Sequence, residues 1–244
     1  MYKKLNEDYP ETSEVCQELK RNIELFSKNL PLIKCFTSEA IMDEDWKDIQ
    51  DVVQIQPFER EEIKVSMFAP SNLYDHIEAI EEITMRAEKK FNLAQKLKKQ
   101  KEEMKALNIT IAPYKGTFLV KGIDDINTCL DDQIVQTQTM MGSSYMRGRL
   151  KNETKNWDKK LNDISELMEA IMATQRTWMY LEPIFSSGDI AKTMPQEGLM
   201  FNFVDETWRN TMSRVQDDPG ITELAEIDNI MNMFIDCNKK LDKI

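Results

Sequence analysis

Between Arg149 and Leu181 the residues Trp157, Leu161, Ile164, Met168, Ile171, Gln175 and Trp178 return at alternating steps of four and three. A sustained four-three alternation places one seam along a single long helix, as in a bundle or coiled coil. Gln175 is the polar member of the stripe, a position that more often sets register than supports chemistry. The rest of the chain agrees with a helical reading. Its 244 residues hold only 7 Gly and 8 Pro, and 31% are charged. Few turn formers among many Lys, Glu, Leu and Met favour long helices, because straight side chains lose little rotamer freedom there. The same counts argue against a Gly-rich α/β enzyme and against a sandwich with a turn every ten residues. The expected fold is all-α, an elongated multi-helix bundle in one continuous body.

Other elements follow from local pattern. Val15, Leu19, Ile23 and Phe26 predict a helix over Ser13 to Asn29, closed by Pro31. Ser38 is the expected N-cap of a shorter helix running towards Val53. Gln54 to Asn72, with Pro57 and Pro70, has no clean period and reads as a connector. Leu73 to about Leu107 lacks Gly and Pro and keeps helical spacing through Ile77, Ile80, Ile83, Ala87, Phe91, Ala94, Leu97 and Met104. Lys96, Lys98, Lys99 and Lys101 make its later half basic, a solvated face or a contact for an acidic protein surface.

The run NITIAPYKGTFLVKGID changes character. It predicts strands at Thr110 to Tyr114 and Thr117 to Val120, a short hairpin that must rest on helices or on a partner. A helix over Asp124 to Met140 follows, with Ile126, Leu130, Ile134 and Val135 on one side. Pro183 is the expected end of the long helix, and Ile184 to Gly198 a loop. A helix from about Met200 or Asn202 carries Phe203, Val204, Trp208 and Met212. After the turn Asp218-Pro219-Gly220, a last helix from Ile221 carries Leu224, Ile227, Met231, Phe234 and Leu241.

Candidate chemistry is sparse. His76 is the single histidine, read as solvent-facing in a first helical turn, so a His-based metal site or nucleophile has little to build on. The glycines of GTFLVKG, Gly116 and Gly122, are separated by five residues and followed by Ile123 and Asp124; a P-loop needs four, then Lys and Ser or Thr. Cys16, Cys35, Cys129 and Cys237 form no CxxC and read as reduced thiols. A net charge of −11 argues against nucleic acid, and no apolar run nears the roughly 20 residues of a membrane span. Trp46, Trp157, Trp178 and Trp208 read as core. The 16 methionines suit a loose core or an adaptable protein-binding face. No catalytic, cofactor-binding or metal-ligating residue is nominated, and no cofactor is expected.

Three stretches carry a resemblance. Residues 113–145, PYKGTFLVKGIDDINTCLDDQIVQTQTMMGSSY, residues 157–197, containing TQRTWMYLEPIFSSGDI, and residues 201–212, FNFVDETWRNTM, are similar to the linker region of dynein heavy chains of the axonemal kind. Upstream, EDWKDIQDVV stands where that family commonly has an Arg-His-Trp motif; only Trp46 is retained, preceded by Glu44 and Asp45. The resemblance covers roughly residues 35–235. It implies a partial linker arm over residues 35–244, curved and mostly helical, with residues 1–34 as an N-terminal helix of weaker likeness.

The family's linker lies across a ring of AAA+ modules and bends with its nucleotide state. The implied function is therefore a non-catalytic lever within a microtubule minus-end-directed, ATP-driven motor of the ciliary or flagellar axoneme. Its implied partners are the AAA+ ring of the same heavy chain and other dynein-complex or axonemal proteins. Nucleotide sites and the microtubule-binding stalk fall outside these residues. The loops Gly142 to Gly148 and Ile184 to Gly198 are the places such an arm could hinge, and read first as ordinary connectors. The competing reading is a stand-alone helical scaffold or adaptor of the axoneme without motor activity.

Overall fold

The computed structural model describes residues 13–53, 64, 73–187 and 193–244. The expected connector at Gln54 to Asn72 lies, apart from Lys64, outside the described residues. The chain divides into two compact units, Met1–Leu93 and Ala94–Ile244. The fold is all-α with one short antiparallel hairpin.

In the first unit, α1 (Ser13–Phe36), α2 (Asp43–Val53) and a 3-10 turn (Leu73–His76) accompany the early turns of α3 (Ile77–Ala106). Their core comprises Leu32, Cys35, Phe36, Ala40, Ile41, Ile49, Val53, Leu73, Ile80, Ile83 and Ala87. Phe36 meets Trp46 edge to face at 5.7 Å. Two sequence expectations are corrected here. Pro31 does not close α1 but sits inside it, although an interior proline costs about 3 kcal/mol. The residues beyond it explain why: Leu32, Cys35 and Phe36 are buried, and each large apolar side chain removed from water contributes about 1.5–3 kcal/mol. Ser38 is not the N-cap of α2. That helix begins at Asp43, and the Asp45 carboxylate accepts the Met42 N–H at 3.2 Å, satisfying a donor at the helix start. Ser38 instead accepts the Ala40 N–H within the preceding turn.

The second unit is organised around α5 (Gly148–Phe185). It packs against α4 (Ile123–Met141), α6 (Pro195–Asp217), α7 (Ile221–Ala225), α8 (Ile230–Leu241) and strand β2 (Thr117–Lys121), which pairs with β1 (Thr110–Tyr114). Every member of the four-three stripe from Trp157 to Trp178 is buried on α5, so the periodicity identified the central helix correctly. The hairpin appears where the β-branched run placed it, with Tyr114 opposite Thr117. Its two-residue loop has Lys115 at φ 43 and Gly116 at φ 74. Two consecutive positive φ values match the right-handed twist of the strands, and Gly takes the second at no steric cost.

Several boundaries differ. α5 continues through Pro183 to Phe185, because Glu182 and Phe185 are held by tertiary contacts that outweigh one missing backbone donor. α6 starts earlier than expected, at Pro195, whose fixed φ suits a first helical position. The single helix expected after Ile221 is two, broken where Asn229 adopts φ 60. The break rephases the core face, so Ile230 is buried in α8 and Met231 is not. On α4 the buried face is Ile126, Leu130, Gln133, Thr137 and Met140, while Val135 is exposed. Gln133 and Thr137 are tolerated inside because most of their polar atoms are paired, the Gln133 side-chain oxygen being the exception. Gln100 of α3 donates to the Gln133 carbonyl at 3.3 Å and accepts from Thr137 at 3.1 Å, and the Gln133 amide donates to Glu103 at 2.8 Å.

These assignments separate a buried from an exposed aliphatic side chain on neighbouring helices. Leu161→Ala should lower stability in urea by about 2–5 kcal/mol through the cavity it leaves. Val135→Ala should change it by less than about 0.5 kcal/mol.

Candidate functional site

Three elements converge on one cluster in the second unit: the hairpin, the C-terminal half of α5 and the middle of α6. Gln175 reaches from α5 to β2, where its side-chain oxygen accepts the Val120 N–H at 2.7 Å and its amide donates to the Val120 carbonyl at 3.2 Å. A primary amide thus completes the free edge of β2 as a third strand would. Two residues away on the same edge, the Phe118 carbonyl accepts the Trp208 indole N–H at 3.2 Å.

The aromatic rings form the floor. Trp178 and Trp208 are fully buried and stacked at 5.6 Å, with Tyr114 edge-on to Trp178 at 5.9 Å and Phe234 edge-on to Trp208 at 6.4 Å. The Trp178 N–H donates to Asp205 at 3.0 Å, and Arg209 Nε donates to the same carboxylate at 2.9 and 3.0 Å. Arg209 also donates to the Lys115 carbonyl at 3.2 Å, which ties the hairpin tip to α6. A Cβ at Gly116 would sit 3.8 Å from the Arg209 guanidinium, an ordinary contact, so backbone conformation and not space selects the glycine.

Lys115 closes the cluster on the α5 side. Its ammonium lies 2.5 Å from Glu182, whose other oxygen accepts from the Ser186 hydroxyl at 2.9 Å. Burial opposes ionisation of Glu182. The Lys115 and Ser186 hydrogen bonds, with the charges of Lys115 and Arg209, outweigh it and hold the carboxyl below its ordinary range. The same Glu182 hydrogen bond raises Lys115 above the usual ammonium value. The side chains of Gln175, Trp178, Trp208, Asp205, Lys115 and Glu182 all meet partners, so the chemistry of this cluster is that of a clasp that fixes three elements.

Other sequence candidates are dispersed. His76 is half-buried in the 3-10 turn of the first unit. Cys35, Cys129 and Cys237 are free thiols; burial pushes Cys35 up and Cys237 up to about 11, so these two stay protonated. The basic run of α3 is largely neutralised by its neighbours, through Lys98–Glu102, Lys99–Glu103 and Lys101–Glu153 pairs. An open groove of about 410 Å³ beside Trp157 is bridged by Lys101–Glu153 and Lys160–Glu226, both at 2.6 Å. Among the described residues no helix is long and apolar enough to cross a membrane.

The chain matches the family model described as dynein heavy chain, N-terminal region 2, over residues 1–244. It belongs to the dynein heavy chain family. It is 29% identical over 239 residues to dynein axonemal heavy chain 1 of Mus musculus, covering 97% of this chain and 6% of that protein. It is 31% identical over 233 residues to the dynein-1-beta heavy chain, flagellar inner arm I1 complex, of Chlamydomonas reinhardtii, covering 94% and 5%. Identity to dynein axonemal heavy chain 12 of Rattus norvegicus is 31% over 201 residues, covering 82% and 6%. The chain thus spans about one-twentieth of the length of the dynein heavy chains it matches.

Within this dynein region, the three dynein-like stretches at residues 113–145, 157–197 and 201–212 are the ones that meet in the clasp. The two tryptophans and Gln175 were already singled out by periodicity. Lys115, Glu182, Asp205 and Arg209 were not. The signals for them were faint: a Lys-Gly hairpin tip, a glutamate on the stripe four residues after Trp178, and an Asp–Arg pair four apart.

Gln175→Ala leaves both polar groups of Val120 without partners, and should cost about 1–3 kcal/mol while speeding hydrogen exchange at the Val120 amide. The Glu182 pair has a defined pH window. Its folded pKa is depressed, so its contribution is complete above the unfolded carboxyl value of about 4.3 and is lost as pH falls through the lower folded value. The stability gap between the parent and Glu182→Gln should therefore shrink across that window in acid titrations monitored by circular dichroism.

Proposed function

We propose that this chain is part of the mechanical linker of an axonemal dynein heavy chain, working in the axoneme of a cilium or flagellum. In this reading residues 35–244 belong to the arm and residues 1–34 lead into it. The arm itself is non-catalytic. ATP is hydrolysed by the AAA+ ring elsewhere in the heavy chain, and the linker converts ring states into movement along the microtubule. Other dynein-complex proteins are its further partners.

The observation that carries this proposal is the clasp. The stretches most like the dynein linker are those that Gln175, Trp178, Trp208 and the Lys115–Glu182 pair lock together. A lever needs elements that move as one body, since force is lost wherever helices slip. Coupling then requires the linker to interact with the ring differently in different nucleotide states, because only a difference in free energy shifts a conformational equilibrium.

The test uses the full heavy chain carrying Gln175→Ala. Loosening the clasp should leave ATP turnover within about twofold while slowing microtubule gliding by about fivefold or more, the range of a 1 kcal/mol coupling loss. Val135→Ala, on the exposed face of α4, should change neither. Equal reduction of turnover and gliding would overturn the lever role for this segment. A native polypeptide that contains these residues but no AAA+ ring would move the function to the scaffold reading.

A further inference from the structure

The first unit carries an apolar stripe that its own core does not cover. Val15, Leu19, Ile23, Phe26 and Leu30 of α1 are 71%, 59%, 57%, 54% and 47% exposed. Steps of four, four, three and four place them along one face of the helix. The stripe runs into a groove of about 530 Å³ between α1 and α3. On the α1 side stand Leu30, Pro31 and Lys34. On the α3 side stand Glu81, Met85 and Glu88, at i, i+4 and i+7, with Met85 45% exposed.

The carboxylates on the α3 wall form no ion pair among the described residues. Among the described residues Glu81 has no ion pair, and Glu88 accepts only a 3.4 Å hydrogen bond from Ser38. We propose that the stripe and this groove are the docking surface for a basic amphipathic helix. An apolar face read at i, i+3, i+4 and i+7 would cover the exposed stripe, and the flexible thioether of Met85 would adapt to it. Lysine or arginine on one flank would face Glu81 and Glu88. Lys34 on the opposite wall repels cations, so the other flank is uncharged or acidic. That asymmetry sets the orientation of the guest. A second copy of the chain is a poorer occupant, since each carries a net charge of −11 and like-charged bodies repel. This inference does not depend on the lever reading.

Two synthetic three-heptad helices with the same leucine seam, one lysine-flanked and one glutamate-flanked, test it by fluorescence anisotropy against the 244-residue chain. The lysine-flanked helix should bind about tenfold more tightly, and the preference should fade as salt rises. Glu81→Gln with Glu88→Gln should bring the two peptides within about twofold, whereas Ile23→Asp should weaken both by about tenfold. Glu81 and Ile23 are exposed and Glu88 is half-buried with a single 3.4 Å side-chain hydrogen bond, so thermal melts of the variants should stay close to the parent and separate lost binding from lost folding. Equal binding of both peptides, or binding of neither, overturns the proposal. A concentration-dependent dimer in sedimentation that Ile23→Asp abolishes also overturns it, by making a second copy the occupant.

Discussion

The side chain of Gln175 does what a neighbouring strand does elsewhere: it accepts from one backbone N–H and donates to the carbonyl of the same residue, Val120. A two-stranded hairpin is marginal in water, and its buried edge would otherwise hold unpaired polar groups. Pairing that edge lets β2 lie directly against α5 and α6. Only then can Trp178 and Trp208 stack, since Trp208 also donates to the hairpin backbone and Tyr114 of the hairpin abuts Trp178.

Around that contact the second unit is layered by chemistry. An aromatic floor of Trp178, Trp208, Tyr114 and Phe234 lies beneath, and polar atoms at its margins pair through Asp205, Arg209, Lys115 and Glu182. Such a cluster resists partial opening, because withdrawing one member strands another in a place where water cannot replace it. For a region of a dynein heavy chain, this gives resistance to deformation a specific molecular source. The first unit is built differently. Its core is mostly aliphatic, its ion pairs are exposed, and one helix displays apolar surface, features suited to association more than to stiffness.

The helical character, the central helix and the hairpin were all legible in the residues. A four-three stripe has only one way to be buried, and a β-branched run ending in Lys-Gly has few alternatives to a tight turn. Less legible were positions where local propensity and tertiary contact disagree. Pro31 and Pro183 both signal a helix end, yet burial of Leu32 and Phe36, and the anchoring of Glu182 and Phe185, carry the helices onward. Gln133 and Thr137 displaced Val135 from the α4 core face because α3 supplies partners, Glu103 for the Gln133 amide and Gln100 for the Thr137 hydroxyl.

The sequence by itself determined which segments are helices, where the hairpin turns and which family the chain resembles, because these depend on spacing and on local backbone preference. Only the tertiary structure decided that Lys115, Glu182, Asp205 and Arg209 form one clasp with the tryptophans, and that the stripe on α1 stays exposed. A periodic pattern specifies that a face is apolar; what covers it depends on partners distant in sequence, whose placement no local rule encodes.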